Sequence, residues 1–156
     1  MESDEPQFHL AIDSRFENID LVQVVLNESM ETMGIDEDTR HWIELAVREA
    51  VANAIKHGNG QDPEKTVQID AALEREVLVI QVRDHGQGFD PDELADPLSP
   101  QNLLKPNGRG IFYMKNFMDS IDYSAHPEGG TVVTLRKSIA PPAGERTTNH
   151  EEESKA

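Results

Sequence analysis

Cysteine is absent from this 156-residue chain. Disulfides, thiolate metal sites and a cysteine nucleophile are therefore excluded, and the composition suits a reducing cytosol. Long apolar runs are missing too, since no stretch approaches the roughly 20 residues a membrane helix needs. The opening heptapeptide MESDEPQ is acidic and polar, unlike a secretory signal. Positive charge is scarce, with 14 Lys and Arg against 30 Asp and Glu and a formal net charge of −16. Such a chain repels phosphate backbones, which argues against nucleic acid as a partner. A basic protein partner, or a cation bound with a substrate, suits it better, although acidic charge is also a general solubility device. One cytoplasmic domain with a two-layer core is the expectation.

What the chain does have is centred on Trp42 to His57 (WIELAVREAVANAIKH). Trp42, Ile43, Leu45, Ala46, Val47, Ala50, Val51, Ala52, Ala54 and Ile55 are residues a buried helix would choose. Glu49 and Asn53 interrupt that text four residues apart, and His57 follows four later. Residues at i, i+4 and i+8 lie along one helix face. A carboxylate is rarely buried without a partner, so this stripe suits the wall of a cavity. The plainer alternative is an amphipathic helix showing Glu49 and Asn53 to water.

Before this helix, Phe8–Ile12 reads as a strand, and Asp13 or Ser14 as a cap with Glu17 completing a capping box. Ile19, Val22, Leu26, Met30 and Met33 then recur at helical spacing until Gly34, and residues 36–39 offer caps for the second helix. Gly58-Asn59-Gly60 reads as its stop. Val67, Ile69 and Ala71 alternate along a strand, and a hairpin turn between Leu73 and Glu76 leads to a second, Val77–Val82. Residues 89–107 are rich in Pro, Asp, Ser and Asn, a length and composition expected of a functional lid or of a disordered segment. A third helix opens at Gly108, with Ile111, Met114 and Met118 on its apolar face. Ile121–Ser124 and Thr131–Leu135, joined through residues 127–130, complete the sheet. Residues 1–7 are expected to be a flexible start, 8–137 the domain, and 138–156 a disordered tail. The order implies an α+β fold: a two-layer α/β sandwich with a mixed sheet of about five strands and three main helices on one face.

Three short motifs carry chemistry. In Asp84-His85-Gly86-Gln87-Gly88 the glycines let a ligand approach the backbone, and ionised Asp84 accepts hydrogen bonds only. It suits an adenine amino group and repels the carbonyl oxygen of guanine, though the motif alone is also a common turn. Gly108-Arg109-Gly110 opens a helix, where amide N–H groups and the helix dipole favour anions. Arg109 adds a fork of donors and Lys105 stands just upstream; alone, this motif is as often a plain cap. In Glu49-x-x-x-Asn53 the amide oxygen can help hold Mg²⁺ that keeps waters and phosphate ligands. Glu49 can take a proton from an attacking hydroxyl. Phosphoryl transfer needs little else beyond positioning and charge stabilisation.

In this order the three motifs resemble those of the GHKL, or Bergerat-fold, ATPases. EAVANAIKHG is similar to the N box, DHGQGF to the first glycine box and NGRGIF to the second. The compact length, the short lid and the wording GFDP, GRGIFYMKNFMD and GGTVVTLRK resemble the bacterial anti-sigma factor/serine-protein kinase branch. The likeness covers residues 8–137. It implies Glu49 as catalytic base and Asn53 as Mg²⁺ ligand. It implies Asp84 as adenine reader, with Gly86, Gly88 and Phe89 beside the nucleotide. Lys105, Gly108, Arg109, Gly110 and Ile111 would surround the phosphates. His57 falls in the N box as a structural, hydrogen-bonding neighbour of the nucleotide. The implied activity is ATP- and Mg²⁺-dependent phosphorylation of a serine on a small STAS-type anti-anti-sigma protein, coupled to sequestration of a sigma factor by a homodimer. The N-terminal strand and first helix are the surfaces expected to meet partners. A nucleotide-gated binding module without kinase activity is the alternative. A detached histidine-kinase domain fits less well, because neither His9 nor His41 sits in a phosphoacceptor context.

Overall fold

The computed structural model describes residues 7–87 and 117–139. Its elements are β1 (Gln7–Asp13), a 3-10 turn (Phe16–Asn18), α1 (Ile19–Thr32), α2 (Glu37–Asn53), a π-helical turn (Ala54–Gly58), β2 (Thr66–Glu74), β3 (Val77–Asp84), β4 (Ser120–Ala125) and β5 (Thr131–Ser138). The strands form one sheet in the order β1-β2-β3-β5-β4. The α+β reading with five strands holds, with α1 and α2 as its two long helices. The expected third helix, the lid and the terminal segments lie outside the described residues.

The sheet is antiparallel at every pairing rather than mixed. Connectivity explains this. Two helices separate β1 from β2, one running back and one forward, so β2 starts beside the end of β1, with Asp13 opposite Thr66. The other neighbours are joined by hairpins or return from the opposite end, which leaves no parallel crossover.

Period-2 alternation sends Val67, Ile69 and Ala71 of β2 inward with Leu78, Ile80 and Val82 of β3 and Val133 and Leu135 of β5. The helices cover that face with Ile19, Val22, Leu26 and Met30 from α1 and Ile43, Ala46, Val47, Ala50 and Val51 from α2. Burial of each Leu or Ile side chain contributes about 1.5–3 kcal/mol, so this face holds the domain together. Polar cross-links align the helices: Arg40 Nε donates to Asn27 Oδ1 at 2.9 Å and Arg48 to Gln23 Oε1 at 2.8 Å.

Local starts and stops differ in instructive ways. Asp36 caps α2 as expected, accepting from Thr39 N at 3.1 Å. The capping box at Ser14 does not form. The chain enters α1 through the 3-10 turn without a side-chain cap, and the Ser14 hydroxyl instead donates to Lys65 O at 2.6 Å. Trp42 is not a core residue, being 38% exposed. It stacks on Phe117 with ring centroids 6.1 Å apart, and Lys137 Nζ lies 4.4 Å over the other ring's centroid. A bulky indole at the helix edge thus shields the segment leading into β4.

Candidate functional site

Glu49 and Asn53 lie one turn apart near the end of α2, Glu49 half-buried and Asn53 buried. Burial pushes the Glu49 carboxyl up to about 7, with the nearby Lys56 charge pulling the other way. Half-buried Tyr123 on β4 feels the same acid: burial and then the Glu49 charge raise its phenol. Asn53 is only 7% exposed, and its carboxamide makes no hydrogen bond among the described residues.

After Asn53 the helix widens into the π-turn, in which Asn59 N donates to Ala54 O at 2.8 Å. An i→i+5 turn inserts an extra residue, so the straight i, i+4, i+8 line anticipated for Glu49, Asn53 and His57 ends at Asn53. His57 is exposed. Desolvation of its ring, followed by the Lys56 charge, holds its pKa below the ordinary histidine value. It is a neutral neighbour of the site at pH 7 rather than part of a buried stripe.

The π-turn delivers the chain directly onto Asp84. A Cβ at Gly58 would sit 2.3 Å from the Asp84 carboxylate, and one at Gly86 would sit 2.1 Å from Gly58 O. Only glycine permits this contact between the two turns. Asp84 is fully buried. Its Oδ1 accepts from Gly86 N and its Oδ2 from Thr131 N, each at 3.2 Å. Burial raises the Asp84 carboxyl above its ordinary value, against the pull of those two N–H groups and of His85 and Arg83. Two oxygens carry about four acceptor positions, so capacity remains for a donor from outside.

The structure therefore brings Asp84 and Gly86 against the turn that follows Glu49 and Asn53. Gly88, Phe89, Lys105, Gly108, Arg109, Gly110 and Ile111 lie outside the described residues. Among the described residues no cluster of three or more His, Cys, Asp or Glu can hold a metal. The carboxamide oxygen of Asn53 fits the part of one ligand to a Mg²⁺ that draws its others from phosphate and water. A cavity of about 510 Å³ lined by His9, Asp70, Gln81 and Arg136 belongs to the other sheet face, away from this chemistry.

Several neighbours of the site were not singled out from sequence. Thr131 and Tyr123 arrive from strands β5 and β4, and nothing in their local sequence signals where those strands dock. Asn59 reads as a helix stop between two glycines, yet it is 3% exposed and hydrogen-bonded on three sides.

This antiparallel sheet, with two long helices packed on one face, defines a class. Residues 12–137 match the model of the histidine kinase-like ATPase domain, and the chain belongs to that family. Membership implies a nucleotide site. More narrowly, the chain is 35% identical over 136 residues to an anti-sigma F factor of Geobacillus kaustophilus, covering 86% of this chain and 93% of the relative. It is 32% identical to the anti-sigma F factor of Bacillus subtilis over the same shares. The crystal structure of the RsbU and RsbW domains of Rv1364c from Mycobacterium tuberculosis matches with a TM-score of 0.64 at 23% identity. That is a likeness of fold, covering 88% of this chain and 34% of the two-domain one. No helix among the described residues is long and apolar enough to cross a membrane.

Proposed function

We propose that this chain is an ATP- and Mg²⁺-dependent serine-protein kinase that also acts as an anti-sigma factor. Its substrate would be a serine on a small anti-anti-sigma protein, and its client a sigma factor. The observation that carries the reading is the pair on α2: an acid that burial pushes up to about 7 and, one turn on, the largely buried Asn53. The names of its anti-sigma F relatives support the client.

In this mechanism Asp84 accepts a hydrogen bond from the adenine amino group and so sets the nucleotide's position. Asn53 offers its oxygen to Mg²⁺, which when bound neutralises phosphate charge. The substrate serine Oγ attacks the γ-phosphorus while Glu49 takes the hydroxyl proton. The bond from γ-phosphorus to the bridging oxygen breaks, and ADP departs with that oxygen. Lys105, Gly108, Arg109 and Gly110 are the proposed phosphate contacts, with Gly88, Phe89 and Ile111 beside the nucleotide. A homodimer and a cytoplasmic location belong to the same reading.

Labelled ATP and a small anti-anti-sigma protein test it. Glu49→Ala is expected to lower phosphate transfer by about 10²–10⁴-fold while calorimetric ATP binding persists. Transfer equal to that of the unmodified chain would remove Glu49 as base. Because the relatives' names state a regulatory role and no kinase activity, a nucleotide-gated binding module is the second reading. It predicts client capture governed by ATP, with no transfer at all.

A further inference from the structure

One buried side chain joins four separate segments beside Asp84, and none of the chemistry described so far uses it. Asn59, directly after the π-turn, donates through Nδ2 to Ser14 Oγ at 2.7 Å and to Thr66 O at 2.9 Å. Its Oδ1 accepts from His85 N at 2.8 Å. Ser14 passes its own proton to Lys65 O at 2.6 Å, and His85 Nδ1 lies 2.9 Å from Thr66 O. A carbonyl only accepts, so that nitrogen carries the proton. The end of β1, the end of the π-turn, the start of β2 and the end of β3 are thus tied through one carboxamide.

The amide that Asn59 holds, His85 N, belongs to the peptide group immediately following Asp84. On the other side of that group, Gly86 lies so close to the π-turn that an added Cβ would fall 2.9 Å from Asn59 Cα. Asn59 thus supports the C-terminal side of Asp84 through the backbone, beside the His85 Nδ1–Thr66 O contact and the Gly86 and Thr131 N–H groups on the carboxylate. We propose that Asn59 is a positioning residue, holding Asp84 in register with Glu49 and Asn53 so that the site prefers adenine to guanine nucleotides. This rests on the nucleotide site proposed above, and deepens it by naming the residue that sets its specificity.

A purely structural role predicts that loss of Asn59 weakens all nucleotides alike. A positioning role predicts that discrimination falls, because a displaced Asp84 neither meets the adenine amino group nor repels the guanine carbonyl. Calorimetric titration of Mg-ATP and Mg-GTP separates them, with the unmodified full chain measured first. Asn59→Ala leaves the partly buried His85 N–H without its acceptor, and ATP affinity should drop about tenfold. GTP affinity should change by less, so the ATP-over-GTP ratio should fall at least about threefold. Ser14→Ala removes one anchor of Asn59 but not its bond to His85, and should lower the ratio by a smaller factor. An unchanged ratio in a folded Asn59→Ala protein overturns the inference, whether affinities are retained or fall together. If Asn59→Ala does not fold, a Ser14→Ala protein with the original ratio overturns it equally. An unmodified chain that binds neither nucleotide defeats the proposed function itself, and the inference with it. An unmodified chain that prefers ATP leaves that reading standing whatever the variants do.

Discussion

Glu49 carries a charge that its surroundings oppose, and this conflict has measurable consequences on either side of neutral pH. Folding raises its pKa from the ordinary 4.5 to about 7. Between those values the folded chain binds the proton that the unfolded chain releases. The stability associated with the neutral acid is thus fully present below pH 4.5 and is lost as pH climbs toward 7. Glu49→Gln mimics the neutral form. It should match the unmodified chain in thermal unfolding at pH 4.5 and exceed it at pH 8 by about 1–3 kcal/mol. Coincident stabilities at pH 8 would mean that Glu49 is not held in a desolvated place. Catalysis has the opposite dependence, because a base must have lost its proton. Phosphate transfer by the unmodified chain should rise through about pH 7, and a flat profile from pH 6 to 8 would contradict the assignment. Glu49 itself was legible in the sequence from its place in an apolar helix. Its shifted pKa was not, since desolvation depends on what the sheet places over it.

Among the elements, the β2–β3 hairpin is the one whose local chemistry disagrees with its geometry. Glu74 pairs with Val77, leaving a two-residue loop of Arg75 and Glu76 at φ 50° and 69°. Both residues are left-handed, as a type I′ turn requires, where Asn-Gly would be usual. Each non-glycine residue there costs roughly 1–2 kcal/mol. The double substitution Arg75→Asn/Glu76→Gly should therefore stabilise the domain by about 1–2 kcal/mol. Its urea midpoint should rise at unchanged slope, and a lower midpoint would show that the Arg75 side chain matters more than the backbone. The position of this hairpin is readable from alternation on both sides; its turn type is not, because neither residue advertises it. The π-turn is a similar case. Ala54–Gly58 looks like a continuing helix, yet it widens and lays Gly58 against Asp84.

For the whole molecule, ligand linkage offers the broadest check. Mg-ATP at about a hundred times its dissociation constant adds about 2.7 kcal/mol to stability. In a domain of this size that lifts the melting temperature by roughly 5–10 °C. Chelating the magnesium with EDTA should remove most of the gain, and melting that ignores Mg-ATP would remove nucleotide from the account. The formal charge of −16 further predicts that capture of a basic client weakens with salt, since charges beyond about 10 Å are screened at 0.1 M.

By itself the sequence determined most of the core-facing positions, Trp42 excepted, and where the described helices and strands run, because 3.6- and 2-residue periods are written in near neighbours. It also marked Glu49, Asn53 and Asp84, since an acid or amide within an apolar element is visible locally. Only the tertiary structure decided that the sheet is antiparallel throughout, that His57 leaves the buried stripe, and that Ser14 serves Asn59 and Lys65 rather than a helix cap. These outcomes depend on partners far along the chain, as with Ser14 and Asn59, 45 residues apart. Hydrogen-bonding needs at such distances are met by whichever groups the packed core brings together, and no local pattern records them.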